Sequence, residues 1–213
     1  MGTLIIIRHA ESEWNLLGKW TGLTDVNLTD KGKADAVKIG EILQDIATPV
    51  AAYTSVLKRT QQTLEGVLEG SGMPTNVPKI AAAELNERDY GDLTGKNKWE
   101  VQAEIGDEAF TGIRRGWDYP VPGGETLKDV YARAVPYFEQ TILPQLQAGA
   151  TILLVAHGNT IRALMKHFDQ VADDQVATLE MPFGQVALYT FEEDKDLPTA
   201  KEVRHADIEQ THA

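Results

Sequence analysis

Two apolar runs in this chain end in a histidine. Leu4-Ile5-Ile6-Ile7 leads into Arg8-His9, and Thr151-Ile152-Leu153-Leu154-Val155-Ala156 leads into His157-Gly158-Asn159. A third run, 50–53, is followed by Thr54, Ser55 and then Arg59. A neutral imidazole can attack phosphorus as a nucleophile, and guanidinium groups hold phosphate oxygens through paired hydrogen bonds. Two imidazoles and two guanidiniums brought to one place therefore suit phosphoryl transfer. A lone histidine after a strand is more often a packing or capping residue. The repetition of the arrangement is what points to chemistry. His167, His205 and His212 have no such context and are read as structural or surface residues. A metal site built from histidines with Glu11 or Glu87 would lack any His-Glu-x-x-His spacing. Gly22 and Gly32 make no dinucleotide fingerprint, and there is no Gly-Lys-Ser/Thr phosphate loop.

These residues need elements that converge on one edge. The uninterrupted apolar runs at 4–7 and 151–156 suit strands buried on both faces. Between them the pattern turns helical from Thr29, with Ile39, Ile42, Leu43 and Ile46 on one stripe and Pro49 beyond the end. Residues 50–53 read as a strand, and Ser55 can open a helix carrying Arg59, Thr63 and Leu64. Lys79-Ile80-Ala81 is a short strand candidate. Residues 84–124 are charged, aromatic and glycine-studded, which predicts loops and short helices around a mouth. A long helix follows from about Glu125, bearing Leu127, Val130, Tyr131, Ala134 and Phe138, with Pro136 expected to kink or divide it. A helix through Leu164 follows His157-Gly158, residues 184–189 are the last strand candidate, and 192–213 read as a polar tail. Alternating strands and helices predict an α/β fold, a three-layer α/β/α sandwich with a mostly parallel central sheet. In such sheets ligands bind beyond the carboxyl ends of the strands.

The chain has 213 residues, which predicts one domain spanning 1–213. It has no cysteine, so neither a disulfide framework nor a thiolate zinc site is available. Acidic residues outnumber basic ones, 32 to 20, for a net charge of −12. That balance disfavours a nucleic-acid partner, which draws on clustered positive charge. An anionic substrate would need a local basic pocket in a negative envelope. No apolar run approaches the length of a membrane span, the first residues lack a secretory apolar core, and the cytoplasm is the expected compartment by default.

Arg8-His9-Ala10-Glu11-Ser12-Glu13-Trp14-Asn15 resembles the signature of the histidine phosphatase superfamily, also called phosphoglycerate mutase-like. Four further stretches resemble its cofactor-dependent phosphoglycerate mutases: 53–59, 85–91 with 95–98, Arg114-Arg115-Gly116, and 156–164. The likeness runs over about residues 3–191. It implies that His9 is the nucleophile that becomes phosphohistidine. Arg8, Arg59 and His157 would bind the phosphoryl group, assisted by Asn15 and the Gly158 backbone, and Glu87 would be the general acid/base. Thr21, Gly22, Arg88, Tyr90, Lys98, Arg114, Arg115 and Asn159 would hold the glycerate carboxylate and second phosphate. It also implies 2,3-bisphosphoglycerate as primer, no metal, a small phosphorylated substrate as the partner, and a homo-oligomer.

The sequence departs from the mutase pattern at several points. Ala10 stands where glycine is usual, Asp89 replaces a histidine, and Phe183 replaces a threonine. The segment after Arg115 is short, which makes 84–124 an abbreviated cap, and Pro122-Gly123-Gly124-Glu125-Thr126 resembles the phosphatase branch. A more open site would admit water to the phosphohistidine. The tail is also abbreviated, and such tails can act as lids. Three readings stay open: a mutase, a phosphatase of small phosphomonoesters on the same histidine pocket, and a noncatalytic phospho-ligand-binding module.

Overall fold

The computed structural model describes residues 1–209. Its centre is a six-stranded sheet of β1 (Gly2–Arg8), β2 (Ala51–Thr54), β3 (Lys79–Ala81), β4 (Thr151–Ala156), β5 (Gln185–Phe191) and β6 (Ala200–His205), in the order β3-β2-β4-β1-β5-β6. The pairs among β3, β2, β4 and β1 are parallel, and β5 and β6 add antiparallel neighbours. Side chains alternate along β1: Leu4 and Ile6 enter one core, Ile5 and Ile7 the other. This two-sided burial explains the unbroken apolar run.

Helices α2 (Asp30–Glu41) and α3 (Lys58–Ser71) cover one face. The other is covered by α6 (Leu127–Tyr137), α7 (Leu143–Gln147) and α8 (Gly158–Phe168); α1 is the single turn Glu13–Leu16. Thr29 caps α2, its hydroxyl accepting from the Gly32 N–H. The long helix begins at Leu127, two residues after Glu125, with Thr126 and Asp129 forming a capping box. Pro136 does not end it. The backbone passes through a π-helical turn, Phe138–Ile142, in which the Leu143 N–H bonds the Phe138 carbonyl, and continues into α7, where Pro144 stands in the first turn.

The segment 84–124 contains α4 (Lys98–Ile105), α5 (Asp107–Arg115) and two 3-10 turns. It has a small core of its own in which Trp20, Leu93, Val101, Phe110, Ile113 and Val121 are buried. The polar tail expected at 192–213 is corrected in part, because residues 200–205 form β6 along β5. This edge strand is mostly exposed, so it lacks the apolar period that marks a strand in sequence. Arg204 ties it to Asp45 and the Ile42 carbonyl. His205 is exposed at its end, and His167 is half-buried against the Tyr131 hydroxyl. His212 lies outside the described residues. Among the described residues no helix is long and apolar enough to cross a membrane.

The two helices of the first face touch through glycines. A Cβ at Gly70 would lie 1.9 Å from the Val37 carbonyl oxygen, and one at Gly40 2.3 Å from that of Val67. Both obstacles are backbone, so a methyl group forces the helices apart. Gly70→Ala is expected to cost about 1–3 kcal/mol, read as a lower urea midpoint with an unchanged slope.

Candidate active site

Parallel pairing sets Arg8 opposite Ala156 and Thr54 opposite Val155. The chain leaves β1, β4 and β2 at one edge, and the His9 N–H bonds the Ala156 carbonyl at 2.9 Å. The rings of His9 and His157 meet edge to face with centroids 5.0 Å apart. Beyond this edge lies a cleft of about 240 Å3.

His9 is 4% exposed. Its Nδ1 lies 2.7 Å from the Ala10 carbonyl oxygen, an acceptor only, so Nδ1 carries the proton and Nε2 the free lone pair. Burial, then Arg59 and Arg8, hold its pKa well below the usual histidine value, so the ring is neutral at pH 7. Ala10 needs no positive φ, and the change from glycine is accommodated. Arg8 donates from Nη1 to the Met181 carbonyl, while its Nε is buried without a partner among the described residues.

Arg59 sits on the first turn of α3, which starts at Lys58 rather than Ser55. It donates from Nη1 and Nη2 to the carbonyls of Thr24 and Gly22, and from Nε to His157 Nδ1 at 3.2 Å. Burial lowers its pKa to about 10, which leaves it charged at neutral pH. His157 Nδ1 must therefore accept, and Nε2 donates to the Ser55 hydroxyl at 2.7 Å. The Ser55 hydroxyl donates to Thr60 Oγ1, whose own hydroxyl donates to the Leu57 carbonyl. Ser55 Oγ also accepts from the Leu57 N–H, and α3 itself opens at Lys58.

Glu87 follows a 3-10 turn that Arg133 pins through the carbonyls of Glu84, Asn86 and Glu87. Its Oε1 accepts from the Arg88 N–H and from the Asn159 backbone and side chain, so Oε2 is the oxygen it offers near Gly158. Asn159 Nδ2 also donates to the Tyr90 hydroxyl. Asn15 has its Oδ1 occupied by Ser12 and presents its amide donors. Lys98 opens α4, and its pKa is lowered to about 8 by burial, then by Arg114 and Arg8. Arg114 and Arg115 end α5, and Arg115 pairs with Glu180.

The cleft is lined by Arg8, His9, Asn15, Thr21, Gly22, Arg59, Glu87, Tyr90, Lys98, Arg114, Arg115, Gly158 and Asn159. Two expected site residues do not line it. His157 is 0% exposed with both ring nitrogens engaged, so it faces Arg59 and Ser55 instead of the open cleft. Arg88 is also 0% exposed, because its guanidinium stacks under Tyr90 and donates to the Ile113 carbonyl. Asp89 does not enter the cleft either; it caps the turn by accepting from the Gly91 N–H. No residue of 192–209 lines the cleft.

Sequence reasoning missed Lys19, Glu180 and Arg162, which do line it. Arg162 donates to the carbonyls of Arg114, Arg115, Val176 and Leu179 and to Asn159 Oδ1. One guanidinium thus ties the end of α5 to α8 and to the 176–179 segment. Its position three residues after Asn159, on the same helix face, was the available signal. Among the described residues no cluster of three or more His, Cys, Asp or Glu side chains is placed to hold a metal ion.

The arrangement can bind a phosphoryl group at His9 and hold further negative charge at Lys98, Arg114 and Arg115. As pH rises through about 8, Lys98 loses its proton and with it the attraction for an anion. Sulfate, whose charge is constant in this range, is expected to bind more weakly above that pH by calorimetry, with the dependence flattened in Lys98→Met.

Residues 4–205 match the profile of the Histidine phosphatase superfamily (branch 1). The chain is 39% identical to a 2,3-bisphosphoglycerate-dependent phosphoglycerate mutase of Nocardioides sp. (strain JS614), over 99% of this chain and 95% of that one. Among solved structures it is similar to Bacillus stearothermophilus YhfR, with TM-score 0.78, 28% identity and coverage of 94% and 98% of the two chains. It shares its fold with mycobacterial glucosyl-3-phosphoglycerate phosphatase bound to inorganic phosphate, with TM-score 0.73, 23% identity and coverage of 88% and 89%. A neutral buried histidine among arginines at the ends of parallel strands, with a family profile across nearly the whole chain, leads to one conclusion: this chain belongs to the histidine phosphatase superfamily.

Proposed function

We propose that the chain interconverts 2-phosphoglycerate and 3-phosphoglycerate through a phosphohistidine at His9, primed by 2,3-bisphosphoglycerate. The observation that carries this reading is the division of cations in the cleft. Arg8 and Arg59 act most strongly on His9, and Lys98, Arg114 and Arg115, each felt by the next, make a second set, of which Arg115 also pairs with Glu180. A phosphomonoester with one anionic end needs only the first set. A substrate anionic at both ends uses both. His9 is nearly wholly buried where it lines the cleft, despite the short 116–126 connection. The relative from Nocardioides carries the mutase name across nearly its whole length.

The residues present fit the primer. Arg8 Nε is a buried donor without a partner, and the second cation set suits its other phosphate. When bound, this molecule supplies the phosphoryl group that first loads His9.

The reaction follows from the geometry. The Nε2 lone pair of neutral His9 forms a bond to phosphorus as the P–O bond to the departing oxygen breaks. Arg8 and Arg59 stabilise the charge on the transferring oxygens. Glu87 Oε2 gives a proton to the departing oxygen. In the reverse direction it takes the proton of the hydroxyl whose oxygen attacks the phosphoryl on His9. His157 acts through Arg59, and Tyr90 and Asn159 position Glu87. Thr21, Gly22 and Asn15 complete the wall around the substrate.

A second reading is a phosphatase, favoured by the short connection after Arg115 and its Pro-Gly-Gly-Glu-Thr stretch. Water would then replace the acceptor hydroxyl.

Purified protein given 3-phosphoglycerate with trace 2,3-bisphosphoglycerate is expected to form 2-phosphoglycerate, read through enolase, with little inorganic phosphate released. Phosphate release without isomerisation would establish the phosphatase instead. Activity is expected to survive excess chelator, and chelator sensitivity would overturn the metal-free mechanism. His9→Ala is expected to lower turnover at least about 1,000-fold, the scale for removing a nucleophile.

A further inference from the structure

Among the described residues two carboxylates line the cleft, and only Glu87 takes part in the proton transfer. The other is Glu180, which pairs with Arg115 of the outer cations. Its backbone is held on both sides. The Leu179 carbonyl accepts from Arg162 Nε, and the Met181 carbonyl accepts from Arg8 Nη1. Arg162 also donates from Nη2 to the carbonyl of Arg115 itself. One buried guanidinium thus fixes the backbone beside Glu180 and the backbone of its partner. The ion pair is placed by the fold, not by two free side chains.

The side chains of Arg115 and Glu180 keep 32% and 60% of their exposure, so the pair can open at little cost. The Glu180 charge also reaches Arg114. Burial and then Arg115 lower the pKa of that guanidinium, and Glu180 acts in the opposite sense. A carboxylate of the chain therefore stands at the cations that would receive a second anionic group. It occupies donors of Arg115, and it repels negative charge. We propose that Glu180 is a specificity-determining residue, an internal anion that the outer charged group of a substrate must displace from Arg115. It sets how strongly the cleft prefers a ligand charged at both ends over one charged at a single end.

The exchange involves no covalent step. Arg115 leaves the Glu180 carboxylate for the entering anion, and Glu180 turns to solvent. A ligand with only a phosphate, held at His9, leaves the pair closed and is indifferent to it. The cost falls on ligands with a second charge, which are held less tightly and leave sooner. The inference rests on the reading of the cleft as a site for a substrate anionic at both ends.

The test compares two ligands that share a phosphate and differ at the outer end: 3-phosphoglycerate, with a carboxylate, and glycerol 3-phosphate, with a hydroxyl there. Dissociation constants are measured by calorimetry at low salt in His9→Ala protein, which turns over neither ligand, with and without Glu180→Gln. The parent is expected to bind 3-phosphoglycerate more tightly. Glu180→Gln is expected to tighten 3-phosphoglycerate about three- to fivefold and to leave glycerol 3-phosphate within about 1.5-fold, the scale of a half-exposed ion pair. The gain is expected to shrink in about 1 M salt, where charges are screened. It is also expected to lose its larger part when Arg115→Gln is present in both proteins. An unchanged ratio of the two constants overturns the inference, as does equal tightening of both ligands or an undiminished gain in Arg115→Gln. A parent that does not favour 3-phosphoglycerate overturns the reading of a substrate anionic at both ends, and the inference falls with it. A parent that favours it, with no change in Glu180→Gln, refutes the role of Glu180 alone.

Discussion

The parallel pairing of β1 with β4, in register from Thr3 opposite Thr151 to Arg8 opposite Ala156, is the constraint on which the site depends. It ends two strands at the same level and directs both chains into the same crevice. A one-residue slip would also exchange the two buried faces of β1, moving Leu4 and Ile6 into the place of Ile5 and Ile7. The register is therefore held by both cores at once. His9 and His157 come together because roughly 150 residues of intervening chain return to the sheet beside the strand where it began.

The second organising feature is the way positive charge is buried. Arg59 rests on the Gly22 and Thr24 carbonyls, Arg162 on four carbonyls and an amide, Arg88 on the Ile113 carbonyl, and Arg8 on that of Met181. These acceptors satisfy N–H groups without cancelling the charge. A carboxylate partner at each would neutralise the field that an anionic substrate needs. On a chain of net charge −12, a basic cleft persists because Arg8, Arg59 and Arg162 are bonded to backbone dipoles, although Arg115 pairs with Glu180. Burial, with this field added, keeps both histidines neutral. Neutrality leaves a lone pair on His9 and lets His157 accept from Arg59.

The segment 84–124 lines the cleft with Glu87, Tyr90, Lys98, Arg114 and Arg115. Its helices are short, and the connection 116–126 holds no long insertion. Trp20, Phe110 and Ile113 nevertheless give it a core, and Arg162 fastens its end to α8. Glu125 closes the other side, accepting from the Asp89 N–H and pairing with Arg133. His9 is shielded by turns from several parts of the chain.

The family resemblance supplied most of the cleft lining, while the residues by themselves determined the strands at 4–7 and 151–156, the helices with a clear apolar stripe, and the placing of Arg8, His9 and Arg59 beyond the strand ends. Their signals are local: β-branched runs, periods of three and four, and charged groups placed just past a strand end. β6 escaped because an exposed edge strand needs no apolar alternation, only a partner to bond. The inward turn of Arg88 escaped because a guanidinium over a tyrosine leaves no mark in spacing. His157 was legible as a member of the site, but its task was not. Whether an imidazole meets a ligand or another side chain depends on which groups face its two nitrogens, and Arg59 and Ser55 lie about 100 residues away. Residue types could say that a phosphoryl group would be welcome at this sheet edge. Only the packing of distant segments decided which cations face the cleft, which stand behind it, and which nitrogen of His9 is free to react.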